Sequence, residues 1–456
     1  MTTRAELLPG TVRALDHRLA RGQAEGRAPS MAAGLVRDGV LVWSGGRGSV
    51  DGAPPTADTQ YRIGSITKTF VAVLVLRLRD EGLVDLAAPL ETYLPGTVAG
   101  DRTVRQLLSH TAGLASETPS PWWERTAGEL RPELADVLGP TPLAHPPGLR
   151  FHYSNPGFAL LGALVAAVRG RPWGEVLAAE VLAPLGMSRT TLMPAAPHAL
   201  GWAVHPWADV LLPEPTPDTH LMAPAGQLWS TVEDLTRFAV LLLDGDDRVL
   251  SADSVAQMRE PLAPPADDGS GYGMGLQLRD AGRPLVGHGG SMPGFLAGLD
   301  CAAADGLGVV VFANATSGPA VGSIAADLLG IVADAEPRPP RTWSPLPEVD
   351  LDLLALTGPW YWGAAPFAVM LRADRHLELV RLGTRGRESR FRPEAVGTWT
   401  GLDDYYAGER LRVVRGPDAT VSHLDLGSFV LTRQPYGSPD VIPGGVDPAG
   451  WGGSAG

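Results

Sequence analysis

The chain has 456 residues, 44 % of them hydrophobic and 19 % charged, and its 37 basic and 50 acidic side chains leave a net charge of −13. That apolar fraction can bury a large core and excludes a disordered chain. The acidic balance argues against a nucleic-acid or anionic-membrane surface, since both need clustered positive charge. The single cysteine, Cys301, excludes a disulfide within the chain and any multi-cysteine metal cluster.

Taken in chain order, residues 1–30 scatter arginines among acids with no apolar run, so no export signal is expected and a cytoplasmic location follows as an expectation. Val12, Leu15 and Leu19 sit at helical spacing and predict a first amphipathic helix. Ala32–Val36 and Val40–Trp43 flank Asp38-Gly39 and predict a hairpin. A long apolar helix is expected from Ser65 to Glu81, stopped by Gly82. Short helices and loops follow to about residue 230, including a Trp- and Pro-rich stretch over 118–148 that is long for a loop and suited to lining a cleft. Ser230 and Glu233 read as a capping box opening a helix through Leu243. Strands are expected at Gly273–Leu278, Leu285–His288, Phe295–Asp300 and Gly308–Ala313. No apolar run is long enough to span a membrane.

This order predicts an α/β domain over residues 1–336 whose antiparallel sheet is assembled from both ends of the segment. Residues 337–347, dense in proline, read as a linker. Period-two runs such as Phe367–Leu371, Leu377–Leu382, Leu411–Val414, Val421–Leu426 and Phe429–Leu431 predict a small all-β barrel or sandwich over 348–436. Residues 437–456, rich in Gly and Pro, read as a flexible tail.

Only one of the 37 basic residues is a lysine, Lys68. A GC-rich genome explains a bias toward arginine, but such a bias should also remove any lysine that arginine can replace. An ammonium can lose its proton when buried, whereas a guanidinium stays charged. Ser65 lies three residues before Lys68, on the same face of a helix start, so the amine can act as base for a serine nucleophile. The helix N-terminus adds free N–H groups for a developing oxyanion. By itself Ser-x-x-Lys also describes a capping serine beside a solvated lysine.

A second element is Tyr153-Ser154-Asn155, where a phenol can relay a proton and an amide can hold a substrate carbonyl. A third is His288-Gly289-Gly290-Ser291, whose glycines would let a substrate approach a strand edge and whose Ser291 N–H would be a second oxyanion donor beside that of Ser65. Other candidates carry less. Gly452–Gly456 matches a nucleophile elbow without the strand and helix around it, and Gly271–Gly275 leads into a strand rather than a phosphate-binding helix. His110 and His152 read as structural, Cys301 as a small hydrophobe following a strand, and no metal or cofactor is expected.

Over about residues 10–335 the three motifs, with Tyr61–Lys68, Leu107–Leu114, Tyr153–Gly157 and Gly287–Gly290, resemble those of the penicillin-binding-protein and class C β-lactamase-like serine hydrolases. The resemblance implies a β-lactamase/transpeptidase-like fold, an antiparallel sheet flanked by helices with a helical subdomain, followed by a lipocalin-like β-domain. It implies an acyl-enzyme on Ser65, Lys68 and Tyr153 as base and acid, Asn155, His288 and Gly290 at the substrate, and an oxyanion hole from Ser65 and Ser291. One departure stands out: His288 occupies the place where penicillin-recognising members carry a lysine. This exchanges a permanent cation for a group expected to titrate near neutrality, and it puts β-lactam hydrolysis in doubt. The chain looks most similar to penicillin-binding-protein-type thioesterases, which release a nonribosomal peptide from a peptidyl carrier protein as a ring. An intracellular carboxylesterase, a D-stereospecific peptidase and a non-catalytic binding protein on the same scaffold are the alternatives.

Overall fold

The computed structural model describes residues 6–126, 133–139, 142–263, 270–339, 342–384, 386–395 and 397–437. The predicted tail and the Gly452–Gly456 elbow therefore lie outside the described residues, apart from Gly437. The chain forms two compact units, Met1–Arg338 and Pro339–Gly456.

The first unit is built on a seven-stranded antiparallel sheet. Its strands are β1 (Ser30–Arg37), β2 (Val40–Gly48), β3 (Gly271–Tyr272), β4 (Gln277–Asp280), β5 (Pro284–Met292), β6 (Phe295–Ala302) and β7 (Leu307–Ala313), in the order β2-β1-β7-β6-β5-β4-β3. N-terminal β1 thus pairs with β7, Met31 opposite Ala313, and closes the sheet from both ends of the unit as the sequence predicts. Alternation along β7 fixes the two layers. Leu307, Val309, Val311 and Ala313 face Leu15 and Leu19 of α1 (Pro9–Glu25) and Leu328 of the last helix, Val321–Ala335. Val310 and Phe312 face the other way, into the larger core built on α2 (Ile66–Asp80), α3 (Asn155–Arg169) and α4 (Val232–Asp244). From Ile66 to Leu76 every side chain of α2 is buried, so this helix runs through the interior between sheet and helical layer. A helix apolar on every side belongs there.

Three local predictions are corrected. The cap of α4 is Thr231, whose hydroxyl accepts from the Asp234 N–H, because Ser230 is taken up in a short strand opposite Tyr61 and bonds Thr190. The segment 273–278 is not one strand: Gly275, at φ +70°, turns the chain against Ala72 of α2, where a side chain would overlap, and separates β3 from β4. Cys301 lies within β6 rather than after it, and burial pushes its thiol up to about 12, in keeping with a small apolar role.

The second unit is an eight-stranded antiparallel sheet with strands at Gly358–Trp362, Ala365–Leu371, Leu377–Arg381, Ser389–Ala395, Thr398–Gly401, Arg410–Arg415, Val421–Leu426 and Phe429–Leu431, each paired with the next. Tyr361 and Thr432 exchange backbone hydrogen bonds of 2.8 and 2.9 Å and bring the first strand against the end of the last, so the barrel is nearly closed. Inward-facing Trp360, Phe367, Val369, Leu379, Phe391, Trp399, Leu411, Leu424 and Leu426 fill it. A lipocalin-like architecture is consistent with this barrel. Among the described residues, no helix is long and apolar enough to cross a membrane.

Candidate active site

Gly64, at φ +53°, turns the chain out of the short strand Tyr61–Arg62 and into α2. Ser65 holds the N-cap position of α2, yet its hydroxyl caps no backbone N–H. It accepts instead from Lys68, whose Nζ lies 2.9 Å from Ser65 Oγ and also donates to the Ala225 carbonyl at 2.7 Å. The one-turn spacing expected from the sequence is therefore realised. The lysine is wholly buried, with Nζ 4.8 Å from the Tyr153 ring centroid and 5.9 Å from that of Phe158. Burial pulls its pKa down to about 7, opposed by the carboxylates of Glu117 and Glu124. A pKa brought this low makes the free amine accessible beside the hydroxyl near neutrality.

Tyr153 closes the triangle, its phenol hydrogen-bonded to Ser65. Burial raises its pKa well above the ordinary value, and Glu117 and Glu124 push the same way, so the phenol keeps its proton. Ser154 caps α3 by accepting from the Gly157 N–H, and donates its own N–H to His110 Nδ1 at 3.1 Å. That bond leaves the His110 proton on Nε2. The ring, 4.2 Å from that of Tyr153, packs behind the site as a neutral side chain whose pKa burial holds well below the ordinary value.

His288 requires a correction. Its Nδ1 lies 2.6 Å from the Gly289 carbonyl, an acceptor only, so Nδ1 bears the proton and Nε2 accepts from the Tyr272 hydroxyl at 3.0 Å. Burial, with Lys68 nearby, pushes its pKa down to about 3. The imidazole therefore does not titrate near neutrality, and both nitrogens are committed inside the protein. It brings no charge to a substrate.

Gly290 also serves the chain itself, since a side chain there would overlap the Ile63 carbonyl and stand 3.3 Å from the Ser65 nitrogen. One on Gly64 would stand 2.5 Å from the Ser291 nitrogen. The two glycines let β5 lie directly on the start of α2, which brings the backbone at Ser65 and Ser291 together. Asn155, in the first turn of α3, donates its amide to Glu117 at 2.6 Å, and its amide oxygen makes no hydrogen bond among the described residues.

Sequence reasoning missed Glu117, Glu124 and Tyr272. Glu117 accepts from Asn155 on one oxygen and from the Trp123 indole, at 2.9 Å, on the other. Glu124 accepts from the Trp122 indole at 2.8 Å, and burial and Glu117 raise its pKa. The Trp-rich segment was the one signal available for these acids. It ties two carboxylates to the rim beside Lys68.

A family model described as Beta-lactamase matches residues 15–334, and one described as a domain of unknown function (DUF7586) matches residues 349–433. Penicillin-binding protein 4 of Amycolatopsis lactamdurans is 29 % identical over 364 residues, 74 % of this chain and 94 % of that protein. A D-stereospecific amidohydrolase from Streptomyces sp. superposes with a TM-score of 0.58 at 28 % identity, over 72 % of this chain and 99 % of that one. The D-amino acid amidase from Ochrobactrum anthropi SV3 does so with a TM-score of 0.63 at 25 % identity, over the same shares. The chain therefore belongs to the beta-lactamase family and carries the fold of its penicillin-binding-protein-like serine hydrolases.

Proposed function

We propose that the protein is an acyl-transfer enzyme working through an ester on Ser65, with an amide or ester of a D-amino acyl group as donor. One observation carries the chemistry: a buried amine, with its pKa drawn to about 7, lies 2.9 Å from a hydroxyl with no capping duty. The neutral amine of Lys68 takes the Ser65 proton as Oγ attacks the acyl carbon. The oxygen that gains charge faces the N–H groups of Ser65 and Ser291. Tyr153, held protonated, hands a proton to the leaving group and is reprotonated by Lys68, which carries the proton taken from Ser65 and so returns to the neutral amine. Water, activated by the same amine, then releases the acid. The D preference is supported by the amidohydrolase and amidase with which the chain shares its fold. A neutral His288 offers no cation for a donor bearing a free carboxylate, which speaks against penicillins and D-Ala-D-Ala-type ends.

A second reading has a peptidyl thioester, delivered by a peptidyl carrier protein, close into a ring. Glu117 and Glu124 favour it, because a negative rim concentrates an incoming ammonium, which Lys68 can then deprotonate. To decide, peptidyl amides and thioesters ending in D- or L-residues are incubated with the protein and the products weighed. Linear acid from D-donors supports the first reading and a dehydrated ring the second. A fluorophosphonate adduct mapped to Ser65 supports both, and its absence removes both.

A further inference from the structure

The geometry points to a second ligand site, at one mouth of the barrel, for a small organic anion with an apolar body. A cavity of about 360 Å³ opens there, at the lower end of the range for small-molecule sites, and the mouths of barrels are a recurrent place for them. Its floor is apolar and buried: Phe367, Leu379 and Leu431. Trp362 and Phe429 stand over it edge to face, with ring centroids 5.4 Å apart. Eight strands leave an interior just wide enough to be filled by side chains or to hold one small ligand, and apolar side chains of the barrel core line this cavity.

Polar groups appear only at the rim. The Arg387 guanidinium carbon lies over Tyr405, 3.7 Å from its ring centroid, and the guanidinium bonds the Tyr406 hydroxyl. Nearby arginines each hold an acid, Arg381 with Glu388 and Arg390 with Asp403, but among the described residues no carboxylate lies within ion-pair distance of Arg387. A guanidinium held in place by an aromatic face, left without a counter-ion beside an apolar cavity, complements a carboxylate on an acyl or aromatic body. The site is independent of the acyl-transfer chemistry.

The test is calorimetric titration of the full chain with octanoate, octanol and octylammonium. Octanoate binds most tightly, and Arg387→Gln weakens it about tenfold while leaving octanol unchanged, as loss of a charge-assisted bond predicts. Octanoate also binds unchanged to chain whose Ser65 has been blocked with a fluorophosphonate. The proposal is overturned if octanoate gives no binding at millimolar concentration, if Arg387→Gln binds it equally well, or if blocking Ser65 abolishes binding.

Discussion

Two cations of this protein sit against tyrosine rings, and their surroundings give them opposite chemistry. Lys68 lies under Tyr153 in a buried site, where loss of solvent brings its pKa down to about 7 and suits it to the base role proposed above. Arg387 lies over Tyr405 at an exposed rim and, with no carboxylate within ion-pair distance among the described residues, is the group we assign to anion recognition. Solvent and side-chain chemistry, rather than the aromatic contact, decide the difference. An ammonium deprived of water yields its proton at a cost protein interiors impose routinely, whereas a guanidinium does not. In a chain whose other basic residues are all arginines, the lone lysine stands at the position where the proposed mechanism needs proton loss.

The contrast is tested most severely by Lys68→Arg, which keeps the charge and removes the base. Acylation of Ser65 should fall by about 10³-fold or more, read as the labelling rate with a fluorophosphonate; a rate within a few-fold of the parent would end the distinction drawn here. Tyr153→Phe removes the proton relay but leaves Lys68 buried. Turnover of amide donors, whose leaving group needs a proton, should drop by about 10²-fold, while donors with acidic leaving groups are spared. Gly290→Ala forces a methyl onto the Ile63 carbonyl and parts β5 from α2, so stability should fall by about 1–3 kcal/mol and acylation with it; denaturant melts and labelling rates check the two.

The pH profile is the finer test. Because the neutral amine is the active form and its pKa is about 7, labelling should rise with pH through that value and level off above it. Glu117→Gln removes an acid that raises the Lys68 pKa, so the rising limb should move to lower pH. Since His288 is pushed to about 3, no second limb should appear between pH 5 and 8. The smallest expected effect is at the barrel: Arg387→Lys keeps a cation but gives up the stacked fork, and octanoate affinity should fall by about two- to threefold.

Much of this was legible in the chain. The spacing of Ser65 and Lys68 is a local property of a helix, so once α2 was read from its apolar run the pair followed. The strands of the barrel announced themselves by alternation at Phe367 and Val369 and again at Leu377 and Leu379, but Gly358–Trp362, Ser389–Ala395 and Thr398–Gly401 did not stand out. The middle one carries Arg390, Arg392, Pro393 and Glu394 on the way, so only its pairing with neighbours makes it a strand. The cap of α4 slipped by one residue because strand pairing with Tyr61 takes up Ser230, the better capping residue of the two, and leaves the position to Thr231.

Composition and local spacing, then, determined the two-part organisation, the α2 helix, and which hydroxyl and which amine share its first turn, because each depends on residues a few positions apart. Folding in three dimensions alone decided the state of the charges. The Ala225 carbonyl that receives Lys68, the acids at 117 and 124 that lift its pKa, and the Tyr272 hydroxyl that occupies Nε2 of His288 come from distant segments. Proton affinity is set by the solvent excluded and the dipoles gathered around a group, and a linear order of residues contains neither.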